Sequence, residues 1–170
     1  MKTRLCVVGM LLVIGAGTSG HLVACGDKYL MLGRGTRFDR AAARQASDVL
    51  IYANPSSELS RTLSKLAVEP GLHKAGFKPT TVTSAGALEQ AMRTRTYDVV
   101  VVDGSDIDTV ARLLKGAAAP HLVPVLHQTT KVYAAQTRKV YHTVINNPDD
   151  SRAFVETIDD AMDLVAKARR

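Results

Sequence analysis

From Asp48 onward, short apolar runs alternate with amphipathic segments along the chain. Five of these runs are rich in Val, Ile, Leu or Thr and are too short for ordinary helices, so they predict strands. The runs are Val49–Ala53, Lys78–Thr83, Val99–Val102, Leu122–Leu126 and Tyr141–Ile145. The third run has no polar alternation, which is typical of a parallel strand that helices cover on both faces.

The segments between these runs carry apolar residues at helical spacing. A serine at 56 or 57 is expected to cap a helix whose Leu59, Leu63 and Leu66 share one face. Pro70-Gly71 interrupts this pattern, so the next residues predict either a continued helix after a kink or a second turn. The remaining predicted helices are Ser84–Thr94, Ile107–Lys115, Lys131–Lys139 and 150–169.

Five strands alternating with five helices predict an α/β fold, a doubly wound five-stranded parallel sheet in a three-layer sandwich. The expected strand order is the flavodoxin-like 2-1-3-4-5. In such sheets functional residues gather at the carboxyl ends of the strands. The segments at those ends are Ala53-Asn54, Asp103-Gly104-Ser105, Gln128-Thr129-Thr130 and Asn146-Asn147-Pro148.

The amino-terminal part of the chain follows a different pattern. Lys2 and Arg4 precede an uncharged run from Leu5 to Ala16, and small residues follow before Cys25. A positive start, a short apolar run and small residues before a cleavage site are typical of a secretory signal peptide. The run would span roughly 18 Å as a helix, against the ~30 Å of a bilayer core, so no permanent transmembrane helix is predicted.

Leu22-Val23-Ala24-Cys25 resembles the lipobox of bacterial lipoproteins. The resemblance implies cleavage after Ala24 and diacylation of the Cys25 thiol. The expected organisation is a lipoprotein signal peptide over 1–24, a basic membrane-proximal tether over 25–47 and an α/β domain over 48–170. The domain would then face the periplasm or the exterior, anchored to a membrane. The alternative is an ordinary secreted protein without the lipid.

Charge and cysteine content narrow the range of partners. The chain has 22 basic and 16 acidic residues, a net charge of +6. Loss of Lys2 and Arg4 with the signal peptide would leave +4, which is too weak and too evenly spread to predict nucleic-acid binding. Cys6 leaves with the signal peptide, so a lipidated Cys25 leaves no thiol for a disulfide. The tether carries a basic cluster that is either a contact for anionic headgroups or a solvated linker. The cluster comprises Lys28, Arg34, Arg37, Arg40 and Arg44.

Residues 48–168 resemble the receiver domain of two-component response regulators. YDVVVVDGSD, at 97–106, is similar to the receiver strand that ends in the phospho-accepting aspartate. PVLHQTT is similar to the strand that ends in the switch hydroxyl, and INNP is similar to the final strand with its Lys-Pro. The resemblance implies that Asp103 occupies the acceptor position and Thr129 the switch position.

The chain departs from the receiver pattern at positions that bear on the chemistry. Receivers hold Mg²⁺ with an acidic pair after the first strand, where this chain has Ala53 and Asn54. Asn147 stands where a receiver has the lysine that contacts the phosphoryl group. Phosphoryl transfer to a carboxylate needs a metal to neutralise the incoming charge. The sequence therefore predicts a non-catalytic pseudo-receiver with no metal and no cofactor.

Two functions stay open at this point. One is a membrane-tethered protein-interaction module that uses the face around the fourth strand, last strand and last helix. The other is a small-molecule or anion-binding domain whose strand-end crevice supplies hydrogen bonds from Asn54, Ser105, Thr129, Thr130 and Asn147. A third hypothesis keeps phosphorylation at Asp103. The histidines are too widely spaced to predict a metal site, and His127 is the best placed of them.

Overall fold

The structure of the chain, a computed structural model, describes residues 47–114 and 119–170. Within these ranges five strands form one all-parallel sheet in the order β2-β1-β3-β4-β5, which confirms the predicted fold class and strand order. The strands are β1 (Asp48–Tyr52), β2 (Lys78–Val82), β3 (Val99–Asp103), β4 (His121–Leu126) and β5 (Ile145–Asn146). The predicted signal peptide, Cys25 and the tether up to residue 46 lie outside the described residues.

Six helices flank the sheet in the described part of the chain. They are α1 (Glu58–Lys65), α2 (Val68–Lys74), α3 (Ala85–Thr94), α4 (Ile107–Leu113), α5 (Lys131–Tyr141) and α6 (Ser151–Ala168). A short 3₁₀ turn, Gly104–Asp106, joins β3 to α4. None of these helices is long and apolar enough to cross a bilayer.

The central strand β3 is buried along its whole length, as its unbroken valine run predicts. Val101 aligns with Ile51 of β1 on one side and with Val123 of β4 on the other. Branched side chains pack well on a pleated surface that helices cover from both faces. Because Asp103 ends this strand, its carboxylate lies in the middle of the carboxyl edge of the sheet.

The sheet separates two hydrophobic clusters. Val101 belongs to the cluster covered by α1, α2 and α6, which contribute Leu59, Leu72 and Phe154. Its neighbour Val100 belongs to the second cluster, and the helices on that side contribute Leu88 of α3, Val110 of α4 and Ala134 of α5. Successive strand residues point to opposite faces, so one strand serves both clusters. Helices α5 and α6 therefore lie on opposite faces of the sheet.

The region around Pro70 forms a separate helix that begins before the proline, so the predicted interruption at Pro70-Gly71 is wrong. Ala67 adopts a left-handed conformation with φ of +48°, which separates α1 from α2. Pro70 lies in the first turn of α2, where a backbone N–H has no intrahelical partner in any case. The described residues therefore contain six helices instead of the five that the sequence predicts.

The last strand is shorter and later than predicted, so the prediction of a strand over Tyr141–Ile145 is wrong. Tyr141 instead ends α5, and its ring packs partly buried against the cluster that contains Ala134. His142, with φ of +62°, then turns the chain out of the helix. A short apolar run does not by itself distinguish a strand from the end of a buried helix. Here Tyr141 lies on the inward face of α5.

Candidate functional site at the strand ends

The sheet brings the predicted site residues to one edge. Asn54 follows β1, Asp103 ends β3, and Ser105 lies in the 3₁₀ turn after it. Thr129 follows β4, and Asn147 follows β5. The structure joins these residues into two groups by hydrogen bonds, one around Asp103 and one between the ends of β4 and β5.

Both carboxylate oxygens of Asp103 accept hydrogen bonds, and the residue is only 5 % exposed. Oδ2 accepts the backbone N–H of Leu59 at 2.9 Å. Oδ1 accepts the backbone N–H and the hydroxyl of Ser105 at 2.9 and 2.8 Å. Leu59 lies in the first turn of α1, whose N–H groups have no intrahelical acceptor and carry partial positive charge. The Asp103 carboxylate therefore ties β3 to the start of α1.

These contacts keep Asp103 ionised. Burial acts to raise its pKa, but the hydrogen bonds from Ser105 and Leu59 and the nearby His127 lower it below the ordinary value for an aspartate. His127 Nε2 lies 3.9 Å from Asp103 Oδ2, which is too far for a hydrogen bond. Asp103 is thus a buried carboxylate held by backbone donors.

The amide oxygen of Asn54 is held by the residue that follows Pro55. Its Oδ1 accepts the backbone N–H and the hydroxyl of Ser56 at 3.2 and 3.0 Å. Its side chain also lies near Asp106 and acts to lower the pKa of that carboxyl. Burial and the charge of Asp103 outweigh this contact, so the pKa of Asp106 lies above its ordinary value.

Thr129 and Asn147 join the loop after β4 to the end of β5. Asn147 Oδ1 accepts the backbone N–H of Gln128 at 2.6 Å, and its own N–H donates to the carbonyl of Leu126 at 2.7 Å. The Thr129 hydroxyl donates to Asn146 Oδ1 at 3.1 Å. Asn147 has φ of +44°, a left-handed conformation that asparagine tolerates better than most residues. Asn147 is thereby suited to closing this loop.

Asp106 and His127 complete the charged part of the crevice. Asp106 Oδ2 and His127 Nε2 are the side-chain atoms in the described residues that are buried without a hydrogen-bond partner. Together with Asp103 they place two carboxyl groups and one imidazole in the same region, without a lysine or arginine among the site residues named above. No group of three or more His, Cys, Asp or Glu side chains within residues 47–114 and 119–170 has the arrangement of a metal site.

The strand and helix pattern of the sequence does not predict that Asp106 lies beside Asp103. The Asp-Gly-Ser-Asp segment contains the signal, because a turn of this length after a buried strand returns the second carboxyl toward the first. Gly104 makes that turn tight. A Cβ at this position would meet Leu126 Cδ2 at 2.8 Å and the Val125 carbonyl at 3.3 Å. The turn therefore packs directly on β4.

No family model and no curated protein matches the chain in comparisons with known proteins. The strand order and the place of Asp103 at the end of the central strand agree with a flavodoxin-like or receiver-like fold. The proposed function is therefore based on two features of the structure. They are the geometry of the strand ends and the charge and exposure of the flanking helices.

Removing the Asp103 carboxylate tests its structural role. Asp103→Ala leaves the Leu59 N–H buried without an acceptor, so we expect a loss of about 1–3 kcal/mol in the free energy of unfolding. Asp103→Asn keeps one acceptor oxygen and should lose less. Urea denaturation followed by circular dichroism at pH 7 measures both effects. An Asp103→Ala variant as stable as the parent would contradict the role given to this carboxylate.

The stability contributed by Asp103 should also depend on pH. Because its pKa is lower in the folded chain than in the unfolded chain, the contribution is fully present above the ordinary aspartate value of about 4. It is lost as the pH falls through the folded value. The stability gap between the parent and Asp103→Asn should accordingly be widest at neutral pH and narrow on acidification. Urea denaturation from pH 7 to pH 3 measures this gap.

Proposed function

We propose that the chain is a membrane-tethered pseudo-receiver that serves as a non-catalytic protein-interaction module. The hydrogen bonds that both carboxylate oxygens of Asp103 already accept carry this proposal. A phospho-acceptor must present a carboxylate oxygen to the incoming phosphorus. Here Oδ2 is used by Leu59 and Oδ1 by Ser105, so attack on a phosphodonor would disturb the start of α1 or the 3₁₀ turn.

The charges around Asp103 support the same proposal. Ala53 and Asn54 offer no carboxylate for Mg²⁺, and Asn147 offers no cation for a phosphoryl group. Asp106 instead adds a second acidic group beside Asp103. A dianionic phosphoryl group at Asp103 would be repelled by a nearby carboxylate without a compensating charge.

A module with an occupied crevice must bind its partner on an outer surface. The last helix, α6, is the longest in the described residues and has more acidic than basic side chains. Its acidic residues are Glu156, Asp159, Asp160 and Asp163, and its basic residues are Arg152 and Lys167. Complementary charge steers association and selects partners. We therefore assign the docking surface to the outer face of α6 and expect a basic surface on the partner.

A small polar ligand in the crevice is the second candidate function. It is favoured by two buried and unpartnered atoms, Asp106 Oδ2 and His127 Nε2, which a polar ligand would satisfy with a donor at the carboxyl oxygen and a donor or acceptor at the ring nitrogen. An anionic ligand is opposed by the Asp103 and Asp106 carboxyl groups. The ligand function requires access to these atoms, whereas the interaction module does not.

Exposure to a small phosphodonor tests the absence of phosphoryl transfer. The full chain in detergent is incubated with Mg²⁺ and acetyl phosphate, beside a conventional receiver as positive control. Intact mass should show no phosphoryl adduct on this chain, because the metal ligands and the phosphate-binding cation are missing. A stoichiometric adduct that is absent from Asp103→Asn would overturn the pseudo-receiver proposal.

Labelling with an alkyne fatty acid tests the membrane tether. In a bacterial host the parent chain should be labelled and processed to begin at Cys25. Cys25→Ser should lose the label completely and accumulate as uncleaved precursor, since the thiol is the site of diacylation. Cys6→Ser is the matched control and should be labelled like the parent. Unchanged labelling of Cys25→Ser would show that Cys25 is not the lipid anchor.

Photo-crosslinking locates the partner. A benzophenone amino acid at exposed Asp160 of α6 should crosslink the partner, and the same group at exposed Gln90 of α3 should not. Asn54→Ala should leave the Asp160 crosslink unchanged, because the crevice takes no part in docking. The ligand function would be preferred if the Asp160 position gave no crosslink and Asn54→Ala abolished the activity of the protein in its host cell.

A further inference from the structure

The large apolar side chains that are exposed in the described residues lie on two adjacent helices. Leu113 of α4 is 39 % exposed, and on α5 Val132, Tyr133 and Val140 are 69 %, 47 % and 67 % exposed. Residues 133 and 140 are seven positions apart, so Tyr133 and Val140 lie in one row along the helix, and Val132 lies about a quarter turn to one side of it. We call Val132, Tyr133 and Val140, with the flanking basic residues, the α5 face.

The charges on α5 are all positive. The helix contains Lys131, Arg138 and Lys139, has no acidic residue, and exposes all three of these side chains. Helix α6 on the opposite face of the sheet carries twice as many acidic as basic side chains. The domain is therefore polarised, with a basic and apolar helix on one side and an acidic helix on the other.

We propose that the α5 face lies against an anionic bilayer surface. A helix with basic residues beside exposed apolar and tyrosine side chains has the chemistry of an interfacial helix, in which cations meet lipid headgroups and the apolar groups enter the boundary. Tyrosine is enriched at this depth because its ring is apolar and its hydroxyl is polar. The inference rests on the proposed tether, which holds the domain close enough to the membrane for a weak contact to be populated.

This orientation also divides the surface between two partners. Because α5 and α6 cover opposite faces of the sheet, contact of α5 with the bilayer leaves α6 exposed to the aqueous side. The acidic helix, which an anionic bilayer would repel, is then the one that meets a basic protein partner. Asp108 lines a groove of about 260 Å³ between α4 and α5, together with Tyr133 and Val140 of the α5 face.

A single tryptophan tests the orientation, since the whole chain has none. Full-chain Tyr133→Trp is purified from bacterial membranes and reconstituted into vesicles of phosphatidylcholine alone or mixed with phosphatidylglycerol. In the anionic vesicles the emission should shift to the blue and be quenched by brominated lipid. Both effects should be lost at about 1 M NaCl, where the Debye length falls to about 3 Å. His73→Trp, on α2 across the sheet, is the matched probe and should show neither effect.

Charge reversal supplies the second comparison. Combining Lys131→Glu, Arg138→Glu and Lys139→Glu in the Tyr133→Trp background should abolish quenching while flotation with the vesicles is kept. The control combines Arg61→Glu, Lys65→Glu and Lys74→Glu on exposed positions of α1 and α2 and should quench like the parent. Circular dichroism checks that both variants fold.

The possible results separate this inference from the proposed tether. Loss of flotation by all variants would mean that the tether fails. Two results would overturn the orientation and leave the tether intact, provided that the chain still floats with the vesicles. One is equal quenching of the probes at positions 133 and 73. The other is equal quenching in neutral and anionic vesicles. The inference would also be overturned if the tryptophan of Tyr133→Trp became protected only after a protein partner was added. The α5 face would then be assigned to that protein.

Discussion

The hydrogen bond from the Leu59 N–H to the Asp103 carboxylate connects the central strand to the first helix, and the β1 and β3 ends of the strand-end edge depend on it. The other oxygen of the same carboxylate holds the 3₁₀ turn through Ser105. One buried charge thus supplies the acceptors for two segments that would otherwise end in unpaired donors. The same contacts support the proposal that Asp103 has a structural role, because any reaction at this carboxylate would disturb the start of α1 or the 3₁₀ turn.

Much of the fold was predictable because the sequence pattern and the packing agree. Val99–Val102 has only apolar side chains, and only a strand covered on both faces uses all of them. Two boundaries were not predictable for local physical reasons. Ala67 adopts a left-handed conformation that no glycine signals, and Tyr141 fits either a strand or the inward face of a helix. Such choices depend on tertiary contacts that a single sequence does not contain.

The candidate site was predictable in position but not in bonding. The ends of parallel strands must meet at one edge, so the sequence alone places Asn54, Asp103, Thr129 and Asn147 there. Their hydrogen-bond partners depend on loop geometry. The pairing of Asp103 with the Leu59 N–H joins residues 44 positions apart, and no spacing rule gives it. The orphaned atoms of Asp106 and His127 also depend on how closely the Gly104 turn packs on β4.

Asn147 and Ala53 limit which substitutions the strand ends accept without a loss of stability. A lysine at position 147 would adopt the left-handed conformation at an expense of about 1–2 kcal/mol and would lose the acceptor for the Gln128 N–H. An acidic residue in place of Ala53, which is 2 % exposed, would bury a new charge. A single substitution toward the receiver pattern at either position would therefore weaken the fold. If the proposed function is correct, selection for stability alone would oppose the gradual appearance of a phosphorylation site at these strand ends.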